Sequence, residues 1–128
     1  DKVYALEIDL NQLYENKRLR AKIGYTTKDM NKRIAGFRFS GNLKKKEHLV
    51  KRIFVSNSIL AKSIERIATE IAILRGYEKV NDKNLGLGYT EWFYCSGEQI
   101  KSCILQAYKI VNKETKKRGK GNEKSETT

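Results

Sequence analysis

Proline is absent from this 128-residue chain, histidine occurs once and cysteine twice. Two thiols, Cys95 and Cys103, cannot build a disulfide framework, and with His48 alone they cannot complete a four-ligand zinc site. Cys95 is expected in a strand and Cys103 in a helix, both as small buried hydrophobes, so the chain reads as cytoplasmic and reduced. No apolar run approaches the roughly 18 residues of a membrane span, and no charged-then-apolar leader is visible. No basic amphipathic helix with exposed aromatics stands out, which argues against a membrane-surface partner. The first residue is not Met, consistent with a domain excised from a longer protein whose flanks carry further functions. The missing proline carries no functional message.

Acidic residues are also scarce. Lys and Arg total 27 against 15 acids, a formal net charge of +12. Such an excess suits polyanion partners, because neutralised phosphates release counterions and drive association. A nucleic-acid partner is expected on this ground, although a lysine-rich soluble surface gives the same balance. A chain of this length favours one domain with a single core.

Residues 2–10 alternate as a strand, with Val3, Ala5 and Glu7 on one side and Tyr4, Leu6 and Ile8 on the other. A polar hairpin loop is expected over 11–17 and a second strand over 18–24. Thr26 or Thr27 is positioned to cap a short helix over about 28–36, with Asp29 in its first turn and Gly36 closing it. Residues 37–47 read as a loop carrying Lys44, Lys45 and Lys46, and 48–55 as a third strand. A long helix follows, capped by Asn57 or Ser58, with Leu60, Ile64, Ile67, Ile71 and Leu74 as its apolar stripe and Gly76 as its end. Beside that stripe runs Ala61, Glu65, Ala68 and Ala72. A lone carboxylate between alanines can approach a neighbouring backbone or a bound ion; equally, it can pair with Lys62 or Arg66 at the surface. The loop at 77–90 contains Gly86-Leu87-Gly88-Tyr89, a weak signal without a helix directly after it. Thr90-Glu91-Trp92-Phe93-Tyr94-Cys95 is strand-forming, and Ser96 with Gln99 forms a capping box for a last helix. From about residue 113 apolar residues vanish, so 1–112 is expected as the domain and 113–128 as a basic, disordered tail. The order β-β-α-β-α-β-α predicts an α+β fold, a small mainly antiparallel sheet flanked by helices.

The junction Ala21-Lys22-Ile23-Gly24-Tyr25-Thr26-Thr27 ends a strand on a glycine and enters a helix carrying Arg33, which suits a phosphate group. Together with Tyr4, Glu65 and Glu91-Trp92-Phe93, this ordered set resembles the GIY-YIG nuclease superfamily, in particular its phage-type branch with K-I-G and E-W-F elements. The first half-motif falls on Lys2-Val3-Tyr4, where only the tyrosine matches, and the second on Lys22-Ile23-Gly24, with lysine in place of tyrosine. Arg33 lies nine residues after Gly24. The resemblance spans about residues 2–96. Relatives often carry a histidine four residues after the glutamate, where this chain has Thr69.

The resemblance implies a divalent-metal-dependent endonuclease, on DNA more than RNA, with Mg²⁺ or Mn²⁺ on Glu65. Arg33 would donate to the scissile phosphate, and Tyr4 and Lys22 would line the water side, either one serving as base. Tyr25 and Thr26 would add hydroxyl contacts, and Lys44, Lys45, Lys46, Lys51 and Arg52 would track the nucleic-acid backbone. Trp92 and Phe93 are expected in the core. The alternative implied by Thr69 and the degenerate first half-motif is a catalytically silent nucleic-acid-binding module of the same fold. A third possibility, a basic α+β domain with accidental motifs, requires that Tyr4, Lys22, Arg33 and Glu65 do not converge.

Overall fold

The computed structural model describes residues 1–9, 19–37, 49–81 and 91–127, and the expected element order and α+β class hold in it. The expected loops over 11–17 and around Gly86-Leu87-Gly88-Tyr89 lie outside the described residues. Four antiparallel strands form one sheet in the order β3-β1-β2-β4: β1 Lys2–Ile8, β2 Arg20–Thr26, β3 Val50–Asn57 and β4 Trp92–Phe93. The helices are α1 Met30–Ala35, α2 Ala61–Leu74 and α3 Gly97–Thr127.

Strand β1 is central and covered on both sides, which is why it carries apolar residues at both parities. Val3 and Ala5 join Ala21, Ile23 and Phe93 against α2 and α3, while Tyr4, Leu6 and Ile8 join Met30, Val50, Val80 and Trp92 on the α1 side. Trp92 and Phe93 are therefore both core residues, on opposite faces. A register shift between Ala5 and Leu6 leaves Ile53 as an extra residue of β3. Ile53 fills the space beside Gly97, where a Cβ would meet Ile53 Cβ at 3.0 Å.

Local chemistry accounts for most helix ends. Asp29, not Thr26 or Thr27, caps α1: its carboxylate accepts from the amides of Asn31 at 2.8 Å and Lys32 at 3.4 Å. Thr26 is still in β2, where its Oγ1 accepts from the Lys28 amide at 3.0 Å. The strand runs two residues further than the glycine suggested, so the helix starts later. Ser58 accepts from the Leu60 amide at 3.0 Å just before α2. Gly76, at φ +83°, ends α2 in a Schellman turn, with Tyr77 N donating to Ala72 O and Gly76 N to Ile73 O. The Ser96–Gln99 capping box forms reciprocally, at 2.8 and 3.1 Å. Glu7 adds an unanticipated contact, accepting from the Gly97 amide at 2.7 Å, where a carboxylate suits a helix N-terminus.

The expected stripe of α2 meets the core at Ile64, Ile67 and Ile71 but not at Leu60 and Leu74, and the neighbouring alanines are buried more deeply than Ile67 and Ile71. Ala61, Ile64, Ala68 and Ala72 are buried, Ile67 and Ile71 are half-buried, and Leu60 and Leu74 are exposed. The small side chains form the contact because α2 packs against both the sheet and α3, and alanines permit the closest approach. Glu65 thereby comes to the margin of the core. Val111 of α3 is buried, and the helical backbone continues to Thr127 over the segment expected to be a tail. Among the described residues, no helix is long and apolar enough to cross a membrane.

Candidate active-site cleft

Among the described residues, β4 pairs with the outer edge of β2 at Ala21 and Lys22. Side chains from both faces of the sheet wrap around this edge and enclose a cleft of about 270 Å³. Tyr4, Lys22, Gly24 and Arg33 reach it from the α1 face, and Glu65 and Thr69 from α2. Tyr25, Lys79 and Glu91 complete its polar lining. Tyr4, Lys22, Arg33 and Glu65, the four expected to act together, thus converge from β1, β2, α1 and α2. The accidental-motif reading requires that they not come together.

Tyr4 pairs with Gly24 across β1 and β2, and its ring passes over that glycine. A Cβ at position 24 would lie 2.7 Å from Tyr4 Cε1 and overlap the phenol end. The glycine is needed for the space above it, which lets the buried Tyr4 reach the cleft. There Arg33 Nε donates to the Tyr4 hydroxyl at 3.0 Å. The guanidinium also stacks on Phe37, with Cζ 4.7 Å from the ring centre. Arg33 is therefore held by Tyr4 and Phe37 rather than by Asp29, whose carboxylate caps α1.

Lys22 is buried, and its Nζ donates to Glu91 Oε2. The two are 69 positions apart in sequence. Burial holds the Lys22 amine below its ordinary pKa, while the bond and charge of Glu91 pull it back up, Arg33 lowers it and Glu65 raises it. Desolvation wins because Glu91 remains largely in solvent. Burial also raises the Tyr4 phenol; Arg33 opposes that shift, and Glu91 and Glu65 add to it. The Glu65 carboxyl is raised by burial first, with Lys22 opposing.

Glu65 is the carboxylate left open. Its side chain accepts no hydrogen bond from a described residue, and Lys62 and Arg66 make no salt bridge with it. Thr69, where the sequence resemblance leads one to expect a histidine, donates to the Glu65 backbone carbonyl at 2.9 Å. Among the described residues no three His, Cys, Asp or Glu cluster as a multidentate metal site. One half-buried carboxylate without a donor fits Mg²⁺, which keeps several waters and takes one or two protein ligands.

The other expected contacts divide. Tyr25 is exposed at the cleft, whereas Thr26 is buried in β2 and does not line it. Lys51 and Arg52 are exposed on β3, two strand positions from β2 and about 10 Å away, outside the cleft. Lys44, Lys45 and Lys46 lie outside the described residues. Sequence reasoning assigned no site role to Lys79 and left that of Glu91 open. Glu91 carried a signal, as the acid opening the E-W-F element, but nothing in the spacing named Lys22 as its partner.

Neither the curated proteins nor the solved structures searched contain a match to this chain. The T5orf172 domain matches residues 2–107. The matched segment includes every described residue of the cleft, and this phage-associated domain is related to nucleases. The chain belongs to the T5orf172 domain family.

Proposed function

We propose that the β2-edge cleft is the active centre of a GIY-YIG-type, divalent-metal-dependent endonuclease acting on DNA. The observation that carries this reading is the convergence of Tyr4, Lys22, Arg33 and Glu65 on one cleft. Glu65 would hold Mg²⁺ or Mn²⁺. When bound, such an ion supplies charge neutralisation at the leaving and non-bridging oxygens of a phosphodiester. Arg33, fixed at Nε by Tyr4, turns its remaining donors toward a non-bridging oxygen, for which the planar fork is suited. Tyr4 accepts from Arg33 and keeps its own O–H to orient water or phosphate.

Of the two candidate bases, Lys22 is favoured. Its amine is shifted toward the neutral, proton-accepting form, whereas the Tyr4 phenol is shifted away from phenolate. After Lys22 takes the proton of the attacking water, Glu91 holds the resulting ammonium.

The test is nicking of supercoiled plasmid by the wild type and by Glu65→Ala, in Mg²⁺, Mn²⁺ and EDTA. Metal-dependent nicking that is lost in the variant is the expected result. A silent nucleic-acid-binding module is the second reading, favoured by the Thr69 hydroxyl being turned to the Glu65 carbonyl rather than offered to substrate. DNA binding by a folded wild type that never nicks would select it.

A further inference from the structure

Phosphates on either side of the reacting one must also be held, and the cleft's own cations are partly committed. Lys22 is paired with Glu91 and Arg33 is bonded to Tyr4. Three others have no such side-chain partner among the described residues. Lys79 lines the cleft and is exposed. Lys62 and Arg66 on α2 are exposed and close enough to act on the Glu65 carboxylate, yet neither they nor Lys79 forms a salt bridge or hydrogen bond with a described residue.

Their placement on the helix is directional. At about 100° per residue, Thr69, Lys62 and Arg66 fall on one flank of α2, outward of Glu65. Thr69 lines the cleft, so this is the cleft flank, and Glu70 follows about 40° beyond Arg66, about 100° round from Thr69. Lys62 and Arg66 are four residues apart, about 6 Å along the axis, close to two successive 3.4 Å steps of a duplex strand. Exposed Tyr25, which also lines the cleft, offers an aromatic face there.

We propose that Lys62 and Arg66, continued by Lys79, form the track that carries the nucleic-acid backbone past the cleft, and that Lys51 and Arg52 on β3 do not. This rests on the nuclease reading and names the surface through which that site takes its substrate. The track passes the carboxylate proposed to hold the metal ion, whereas β3 presents its cations across the full width of β1.

The experiment measures binding of a short labelled DNA duplex in EDTA as a function of monovalent salt. Wild type, Lys62→Gln/Arg66→Gln and Lys51→Gln/Arg52→Gln are compared. Losing two phosphate contacts is expected to lower the slope of log K against log salt by about 2 in the α2 variant. That corresponds to weakening on the order of 60-fold at 0.1 M salt, when both lines are extrapolated to a common value at 1 M. The charge-preserving pair Lys62→Arg/Arg66→Lys is expected to keep the wild-type slope, which separates loss of charge from loss of fold. An unchanged slope in Lys62→Gln/Arg66→Gln, or an equal or larger loss in Lys51→Gln/Arg52→Gln, overturns the track. If the wild type still nicks plasmid in that case, the nuclease reading stands. A wild type with neither salt-dependent binding nor nicking overturns both.

Discussion

The Tyr4 ring occupies the volume that any side chain at position 24 would need, so Gly24 is the residue that admits the phenol to the cleft. Adding one methyl there forces the buried ring or the β1–β2 backbone to shift. Gly24→Ala is expected to cost about 1–3 kcal/mol of stability, typical of overpacking, and to displace the hydroxyl from Arg33. Chemical denaturation and plasmid nicking check this together. Wild-type stability with full activity would show that Tyr4 has room elsewhere.

Glu91 raises the pKa of Lys22 against the larger lowering effect of burial. If neutral Lys22 is the base, activity rises with pH as the amine deprotonates. Removing the carboxylate charge in Glu91→Gln takes away an interaction favouring the ammonium, so the acid limb of the pH–rate profile should move to lower pH. Lys22→Met should abolish that limb along with most of the rate. A limb that moves to higher pH in Glu91→Gln contradicts Lys22 as base.

Glu65 makes a stability prediction of opposite sense to its functional one. Its folded pKa lies above the unfolded value, so its contribution is fully present below the unfolded pKa and is lost as pH rises through the folded one. At neutral pH the ionised side chain works against folding. Glu65→Gln should therefore melt at a slightly higher temperature than wild type in EDTA while losing cleavage. Adding Mg²⁺ should raise the melting temperature of wild type and not of the variant, by about 2.7 kcal/mol equivalent at 100 times the dissociation constant. A variant that gains as much from Mg²⁺ as wild type would remove Glu65 as the metal ligand.

Cys95 is pushed up to about 12 by burial, with Cys103 and Glu7 adding to the shift. Near the ordinary thiol pKa of about 8.5, the native thiol should stay protonated and alkylate far more slowly than in denatured protein. Labelling with iodoacetamide, followed by mass spectrometry, reads this directly. Rapid native labelling of Cys95 would show that the α3 N-terminal region opens readily.

Much of the fold was legible because its signals are local. Ser96 and Gln99 lie within one turn, and their reciprocal bonds follow from the capping box itself. Gly76 marked the end of α2 because that position requires a left-handed backbone. Local signals also misled where two neighbours competed. Thr26 and Asp29 can both cap a helix, and strand pairing with Lys2 kept Thr26 in β2. In α2 the isoleucine row meets the core at Ile64, Ile67 and Ile71, and close packing on the sheet and α3 buried the adjacent Ala61, Ala68 and Ala72 as well.

The sequence by itself determined the order of elements, the alternation of β1 and β2, and the residue types gathered around Gly24. It could not decide which of those residues meet. Strand pairing set Tyr4 opposite Gly24, and the packing of α2 brought Glu65 to the same cleft. Lys22 found Glu91 only through that arrangement. Periodicity specifies the face of each element, whereas contacts between elements depend on register and packing distance, which are properties of the assembled chain.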